Sequence, residues 1–266
     1  MAERFSIRRQ PGFTAVAMIC FVILYVPILV LVVYAFNAAN SMSEWGGFSL
    51  HWFEVGWNND QVIDASLRSL KIASAAAILA SIVATMAALA TTRTGPYRGL
   101  TFIYGFINQP LMVPEIVTGV ALLVFFSRVK VWSGYSGLGY LIAAHTAFCI
   151  PFAYLPIRAR LENMDLTLER AAADLYATPW KVFRRITLPL LWPGILAGFM
   201  LAFVISLDDV VITEFVKSGG QDALPTYMLG QIRRGVTPEM NAVSTAFLLL
   251  SVAIVTLFFF ASRKRS

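Results

Sequence analysis

The sequence predicts an all-α membrane protein with six transmembrane helices, and three observations support this. Of the 266 residues, 58% are hydrophobic and only 14% are charged, whereas soluble domains carry about 25% charged residues. Six apolar runs reach the ~20 residues that a helix needs to cross a bilayer. Almost no sequence is left for a soluble domain, so we expect a single transmembrane domain over residues 1–266.

The predicted spans also indicate an orientation. They lie at about 13–36, 67–91, 100–126, 137–157, 190–215 and 241–261. With the N-terminus inside, the cytoplasmic segments are 1–12, 92–99, 158–189 and 262–266. These segments hold 14 of the 21 Lys and Arg residues, and such an excess is typical of cytoplasmic loops. Both termini are therefore predicted to be cytoplasmic, and the net charge of +6 reflects topology and not a nucleic-acid partner.

The first span and the loop after it are predicted from their apolar and aromatic content. The run from Phe13 to Phe36 is of full spanning length and lacks a small-residue cleavage site, so it is not expected to be a removable signal. Trp45, Trp52 and Trp57 follow it. Tryptophan is enriched at the membrane–water boundary, so segment 43–57 is predicted to be interfacial, with one short helical turn.

Small residues in the second and fifth spans predict helix contacts. In lipid, small side chains allow two helix backbones to approach closely. The second span carries a stripe of alanines, and the fifth has a small residue at every fourth position. These residues are Ala73, Ala77, Ala80, Ala84 and Ala88, and Gly194, Gly198 and Ala202.

The third span contains one charge, Glu115. A carboxylate in the membrane costs at least ~2.5 kcal/mol, so it is expected to face protein or water. Pro110 and Pro114 are predicted to interrupt the helix around it. On a continuous helix, four polar residues fall within about 80° of one another: Tyr104, Asn108, Glu115 and Thr118. We predict that they line a substrate pathway; the alternative is a structural kink with Glu115 paired to an arginine.

The fifth span ends with three carboxylates, Asp208, Asp209 and Glu214. On one helix Asp208 and Asp209 are 100° apart and could share a cavity, while Glu214 is expected at the outer rim. One interpretation is a helix cap or an ion pair with a partner subunit. The other is a station for a cation, with aromatic faces adding cation–π contacts. We assign Asp208 and Asp209 to the substrate pathway.

The cytoplasmic segment 158–189 combines charge with helical apolar spacing. Asp165 or Thr167 could cap a first helix, and Thr178 with Pro179 is typical of a second helix start. The segment is therefore predicted to form two short helices with a turn near 176–178. It is either a connector or a docking element whose apolar side chains enter a groove on a partner.

This segment resembles the signature of ABC-importer permeases, E-A-A-x3-G-x9-I-x-L-P. Ala171 and Ala172 match its alanines, and Ile186, Leu188 and Pro189 match its end. Arg170 stands in place of the glutamate, next to Glu169, and Tyr176 stands in place of the glycine. The resemblance implies a coupling helix that docks on an ATPase. The implied coupling residues are Glu169, Arg170, Ala171, Ala172, Asp174, Leu175, Tyr176, Ala177, Thr178 and Pro179.

Four further stretches resemble the permeases of polyamine importers of the spermidine/putrescine kind. They are WGGFSLHWF (45–53), LMVPEIVTGVALLV (111–124), SLDDVVITEF (206–215) and LPTYMLGQIRRGVTPEMNAVSTAFLLL (224–250). The chain is most similar to the second, shorter permease of the pair. This resemblance implies the type I ABC-importer permease fold in a bacterial inner membrane. It also implies five partners: a homologous second permease, a dimer of ATP-binding subunits, an extracytoplasmic solute-binding protein, the polyamine substrate and membrane lipid.

Several function classes remain as alternatives. The sequence has no GxxxxGK[ST] phosphate loop, so ATP and Mg²⁺ are expected on a partner subunit and no cofactor on this chain. No His or Cys spacing predicts a metal site. The chain could instead serve another organic cation or small solute, or be an ion-coupled secondary transporter with Glu115 and Asp208 as ion sites. An intramembrane enzyme is the least favoured, since His145 would be its lone candidate.

Overall fold

The computed structural model describes residues 11–41, 44–95, 97–235 and 237–263. Within these ranges the chain forms twelve α-helices and one π-helical segment, which confirms the all-α class. In order, they are α1 (Pro11–Tyr34), α2 (His51–Trp57), α3 (Asp60–Thr92), α4 (Leu100–Met112), α5 (Glu115–Ser133), α6 (Gly139–Glu162), α7 (Thr167–Asp174), α8 (Pro179–Val182), the π-helical segment Phe183–Thr187, α9 (Leu188–Asp208), α10 (Val211–Val216), α11 (Leu224–Arg234) and α12 (Pro238–Arg263). The ends 1–10 and 264–266 of the predicted cytoplasmic segments lie outside the described residues.

Six helices in the described ranges are long and apolar enough to cross a membrane, as predicted. They are Gly12–Tyr34, Asp60–Thr92, Glu115–Ser133, Gly139–Glu162, Pro179–Asp208 and Pro238–Phe258. Four of them agree with the predicted spans to within a few residues at most ends. The third and fifth differ in ways that matter for the carboxylates.

The third predicted span, 100–126, is two helices and not one. Val113 is extended, with φ −98° and ψ 138°, and separates α4 from α5. A residue before proline is biased away from helical geometry, and Pro114 directly follows. The interruption at Pro114 was predicted correctly, but Pro110 lies inside α4. The stripe calculated on one continuous helix therefore does not hold across the break, and Glu115 is the first residue of α5.

The fifth predicted span, 190–215, is displaced toward the N-terminus. A continuous helical stretch begins at Pro179, passes through the π-helical segment and ends at Asp208. Asp209 is extended, with φ −66° and ψ 129°, and α10 starts afterwards. Asp208 and Asp209 are therefore not 100° apart on one helix, which corrects the sequence interpretation.

The chain divides into two compact units. The first combines residues 1–60 with 231–250. In it, α1 exposes its apolar side chains, and α2 is the short helix predicted after the first span. Asn37 is 1% exposed and holds the intervening loop through bonds from Nδ2 to the carbonyls of Ser41 and Glu44, at 3.2 and 2.7 Å. Phe36 stacks on Phe48 beside it.

The second unit, residues 61–230 and 251–266, contains every residue assigned to the pathway or to coupling. Its core confirms the predicted small-residue faces. All five alanines of the α3 stripe are fully buried. A Cβ atom on Gly198 of α9 would lie 2.6 Å from the carbonyl oxygen of Ala153 in α6, so these two helices pack backbone to backbone. The prediction of one domain over 1–266 stays a prediction.

Candidate functional site

Asp209 is a buried helix cap. Its side chain is 1% exposed, and its two carboxylate oxygens accept the backbone N–H groups of Ile212 and Thr213, at 3.3 and 2.9 Å. The first N–H groups of a helix have no partner within the helix, and an aspartate that accepts them stabilises the helix start. Asp209 therefore fixes the start of α10 directly after the chain leaves α9.

His145 of α6 joins this cap in a hydrogen-bonded chain. Its Nδ1 atom lies 2.8 Å from Ser206 Oγ, and its Nε2 atom lies 3.0 Å from Thr213 Oγ1. Thr213 Oγ1 in turn donates to Asp209 Oδ1 over 3.2 Å. A neutral imidazole with its proton on Nε2 satisfies the whole chain, because Ser206 then donates to Nδ1. His145 is thus a buried residue of the bundle with both ring nitrogens hydrogen-bonded.

Asp208 has the opposite environment. It is the last residue of α9, it is exposed, and no hydrogen bond or ion pair engages its carboxylate in the described ranges. The two aspartates therefore do not share partners. Glu214, expected at the outer rim, is exposed and pairs with Lys217 Nζ at 2.6 Å.

Glu115 lies beside the cap. Its half-buried carboxyl group lies near the Asp209 side chain and near His145. Thr118 lies three residues further on in α5, on the same face of the helix. Its hydroxyl is buried without a hydrogen-bond partner among the residues that the structure describes. The structure thus brings Glu115, Thr118 and Asp209 into one polar region, and Glu115 is not paired with an arginine there.

A glycine makes this region possible. A Cβ atom on Gly119 would lie 2.8 Å from Phe215 Cδ2 and 3.4 Å from Val211 Cγ1. The first turns of α5 can therefore lie directly against α10. This contact holds Glu115 next to the residue that caps α10.

Tyr104 and Asn108 belong to α4, and the Tyr104 side chain lies beside the last turns of α3 and α6. The Tyr104 hydroxyl donates to the Thr91 carbonyl at 3.2 Å, and Asn108 Nδ2 donates to the Tyr104 carbonyl at 2.8 Å. The Arg158 guanidinium lies 4.3 Å from the centre of the Tyr104 ring. The Arg158 guanidinium therefore already occupies one face of the Tyr104 ring, where a substrate cation could otherwise bind.

The predicted cytoplasmic helix pair is present. The first helix, α7, ends in a tight turn: Ala177 N–H donates to the Ala172 carbonyl at 3.0 Å, and Tyr176 N–H donates to the Ala173 carbonyl at 2.9 Å. This pair of bonds defines a Schellman motif, whose C′ residue is left-handed and usually glycine. Tyr176 occupies that position with φ +56°. Tyr176 therefore occupies the left-handed position that glycine usually takes in such a turn.

The turn presents large apolar side chains to solvent. Leu175 is 82% exposed, Tyr176 96% and Trp180 66%. Pro179 is the first residue of α8, as predicted, although the Thr178 side chain makes no capping bond. At the other end of α7, Asp165 Oδ1 accepts from Thr167 N–H and Oγ1, which lowers the pKa of Asp165. Of the other assigned residues, those exposed are Arg170, Ala171 and Asp174, and those half-buried are Ala172 and Ala177.

Glu169 differs from its neighbours because it faces the chain itself. Glu169 Oε1 accepts from Thr187 Oγ1 at 2.8 Å and from an Arg93 Nη at 3.4 Å. The sequence interpretation missed Arg93 and Thr187. No local signal could have found them, since they are 76 and 18 residues from Glu169 in sequence.

Comparisons with known proteins agree with these features. The family model of the binding-protein-dependent transport system inner membrane component matches residues 98–264, more than half of the chain. The chain is 38% identical, over 90% of its length and 86% of the relative, to the putrescine transport system permease protein PotI of Escherichia coli (strain K12). It is 39% identical, over 91% of its length and 93% of the relative, to the spermidine/putrescine transport system permease protein PotC of Haemophilus influenzae.

Solved structures share the fold. A bacterial ABC transporter involved in the import of the acidic polysaccharide alginate superposes with a TM-score of 0.72 at 18% identity, over 95% of this chain and 94% of that one. The MetNI methionine ABC transporter, in an inward-facing conformation, gives a TM-score of 0.60 at 19% identity, over 74% and 91%. The chain therefore has the fold of ABC-importer permeases.

Proposed function

Because the chain belongs to the family of binding-protein-dependent transport system inner membrane components, we propose that it is the second permease of an ATP-driven polyamine importer. The observation that carries the substrate class is its 38% and 39% identity, over 90% and 91% of its length, to permeases named for putrescine and spermidine/putrescine. It is a multi-pass inner-membrane subunit and not the ATPase. Because the chain belongs to this family, we no longer propose an ion-coupled secondary transporter.

Besides this chain, the substrate and lipid, the proposed complex has three kinds of component. A homologous second permease completes the translocation pathway, and an extracytoplasmic binding protein delivers the polyamine. A dimer of ATP-binding subunits holds ATP and Mg²⁺ and docks on α7 and α8. The exposed Leu175, Tyr176 and Trp180 support this docking, since aromatic anchors that enter pockets provide most of the affinity of such interfaces.

Asp208 is proposed as the main contact for the polyamine. A polyamine is a flexible chain of ammonium groups, and each ammonium is attracted to a carboxylate with no other partner. Asp208 is such a carboxylate among the described residues, whereas Asp209 caps α10. Glu115 and the free hydroxyl of Thr118 add a second polar position close to Asp209. A site that offers few charges at the same time binds the polyamine weakly enough to release it.

The route beyond this region is proposed to pass Tyr104 and Asn108. With both termini cytoplasmic, Tyr104 of α4 lies beside the cytoplasmic ends of α3 and α6, and Asp208 lies in the outer half of the membrane. A polyamine that leaves the carboxylates would then meet Arg158 over the Tyr104 ring. Repulsion between this guanidinium and the ammonium groups supports a closed pathway in this conformation.

Two measurements test the proposal. The chain is purified from its native membrane, and the subunits that accompany it are identified; deletion of 168–180 should remove the ATP-binding subunits. Proteoliposomes with the complete complex and its binding protein should then take up labelled spermidine or putrescine with ATP. If uptake is blocked by another organic cation and not by polyamines, the chain serves that cation and the polyamine assignment is wrong.

A further inference from the structure

One carboxylate links the coupling helix to the cytoplasmic ends of the spans. Glu169, in the first turn of α7, accepts hydrogen bonds from Thr187 and Arg93 at the same oxygen. The side chains of Glu169 and Arg93 are only 18% and 21% exposed. By contrast, the neighbouring Arg170 is exposed. Oε1 of Glu169 is therefore engaged by two donors of the same chain.

The two donors belong to different spans. Thr187 is 4% exposed and is the residue immediately before α9. Arg93 follows the last residue of α3, and its other Nη donates to the carbonyl of Leu161, in the last turn of α6, at 3.2 Å. Glu169 and Arg93 thus tie α7 to the ends of α3, α6 and α9. We call Glu169, Arg93 and Thr187 the clamp.

The clamp matters because α7 has little stability of its own. It contains 8 residues, and isolated helices shorter than about 12 residues are marginal in water. Its orientation relative to the spans must come from contacts. A π-helical segment also separates α8 from α9, and such segments are frequent at functional sites. A partly buried ion pair with a second hydrogen bond is the contact that can hold α7 in register with three spans.

We infer that Glu169 is a positioning residue that passes the motion of α7 to α3, α6 and α9, and that it does not contact the ATP-binding subunit. This inference rests on the proposed function, because it assigns a role within the coupling segment. It separates two tasks in α7 and the turn after it. The exposed apolar side chains bind the ATPase, and the clamp transmits its movement.

The test uses the complete transporter in proteoliposomes, with three quantities measured: the ATPase subunit that co-purifies, ATP hydrolysis stimulated by the loaded binding protein, and polyamine uptake per ATP. Glu169→Gln keeps an acceptor for Thr187 but removes the charge that faces Arg93, and Glu169→Ala removes both bonds. Asp64→Asn is the matched control, because Asp64 is an exposed carboxylate that pairs within its own helix with Arg68.

In both Glu169 variants the ATPase subunit should co-purify as in the wild type. Uptake per ATP should fall about tenfold in Glu169→Ala and less in Glu169→Gln, in the range of typical coupling between sites. The control should be unchanged. The exchanged pair, Arg93→Glu with Glu169→Arg, restores the ion pair but not the bond to the Leu161 carbonyl, so it should recover only part of the coupling that each single change loses.

Two results would overturn the inference. One is unchanged uptake per ATP in an intact Glu169→Ala complex. The other is loss of the ATPase subunit from the Glu169→Gln complex, which would make Glu169 a docking contact. A failure of the proposed function is distinguishable, because the wild-type complex itself would then take up no polyamine. In that case stimulated ATP hydrolysis still reports on the clamp.

Discussion

Asp208 and Asp209 are adjacent in sequence, yet Asp209 caps α10 with a side chain that is 1% exposed, and Asp208 is exposed without a partner in the described ranges. The backbone explains the difference, since α9 ends at Asp208 and the chain is extended at Asp209. Asp209 therefore stabilises the structure of the site, and Asp208 is available to bind a substrate. The predictions below separate these two roles.

Asp209→Ala should destabilise the subunit. It removes the acceptor for two backbone N–H groups and leaves them buried, at a loss of about 2 kcal/mol. The melting temperature of the purified complex in detergent should fall. Asp208→Asn is the matched control and should melt as the wild type does; equal melting of the Asp209→Ala protein would contradict the capping role.

Gly119→Leu should separate α5 from α10. The added side chain would begin 2.8 Å from the Phe215 ring, and overpacking of this kind destabilises by about 1–3 kcal/mol. We expect a lower melting temperature and a loss of uptake, because Glu115 moves away from Asp209. Gly105→Leu in α4 is the control, since a Cβ atom there meets nothing within 4 Å.

Tyr176→Gly and Tyr176→Val should weaken ATPase association to different degrees. Left-handed geometry costs a non-glycine residue about 1–2 kcal/mol, so glycine keeps the turn at lower strain, whereas β-branched valine disfavours it. Both variants lose the exposed ring, but co-purification of the ATPase subunit should fall further in Tyr176→Val, because that variant also loses the turn. Equal losses in both variants would instead make the exposed aromatic ring the essential feature.

Lys217 should stabilise the loop after α10 at all physiological pH values. Burial acts to lower its pKa, but hydrogen bonds to Asp222 and Glu214, at 2.7 and 2.6 Å, outweigh burial and raise the pKa above its usual 10.5. A raised lysine pKa gives stability that is present below the unfolded-state pKa and lost as pH rises through the folded-state pKa.

The measurement compares the melting temperatures of the wild type and Lys217→Met as pH rises. The difference should be constant up to about pH 9 and should close only above about pH 10.5. A difference that closes near neutral pH would mean that another group provides the stability.

Local patterns in the sequence were sufficient for much of the fold. The spacing of Gly194 and Gly198 predicted a close helix contact, and the structure has it with α6. Pro114 predicted the break before α5, and Thr178 with Pro179 predicted the start of α8. Each of these signals depends on residues within one or two turns, where backbone sterics decide the outcome.

The features that the sequence did not reveal depend on distant partners. Nothing local ends α9 at Asp208, because no proline or glycine is there; the break is stabilised by the Asp209 cap and by His145, which is 68 residues from Thr213. The inward orientation of Glu169 likewise depends on Arg93. At the position of the family's glycine, Tyr176 adopts left-handed geometry, and its side chain is exposed.

The most direct test of the account is polyamine uptake by the complete complex with Asp208→Asn. The variant keeps the size of the side chain and removes the charge, so we expect intact assembly, unchanged melting and uptake lower by about tenfold or more, the scale of a lost hydrogen bond to a charged group. Glu214→Gln, which removes a nearby carboxylate already paired with Lys217, should transport as the wild type does. Full uptake by Asp208→Asn would contradict the assignment of this carboxylate to the polyamine.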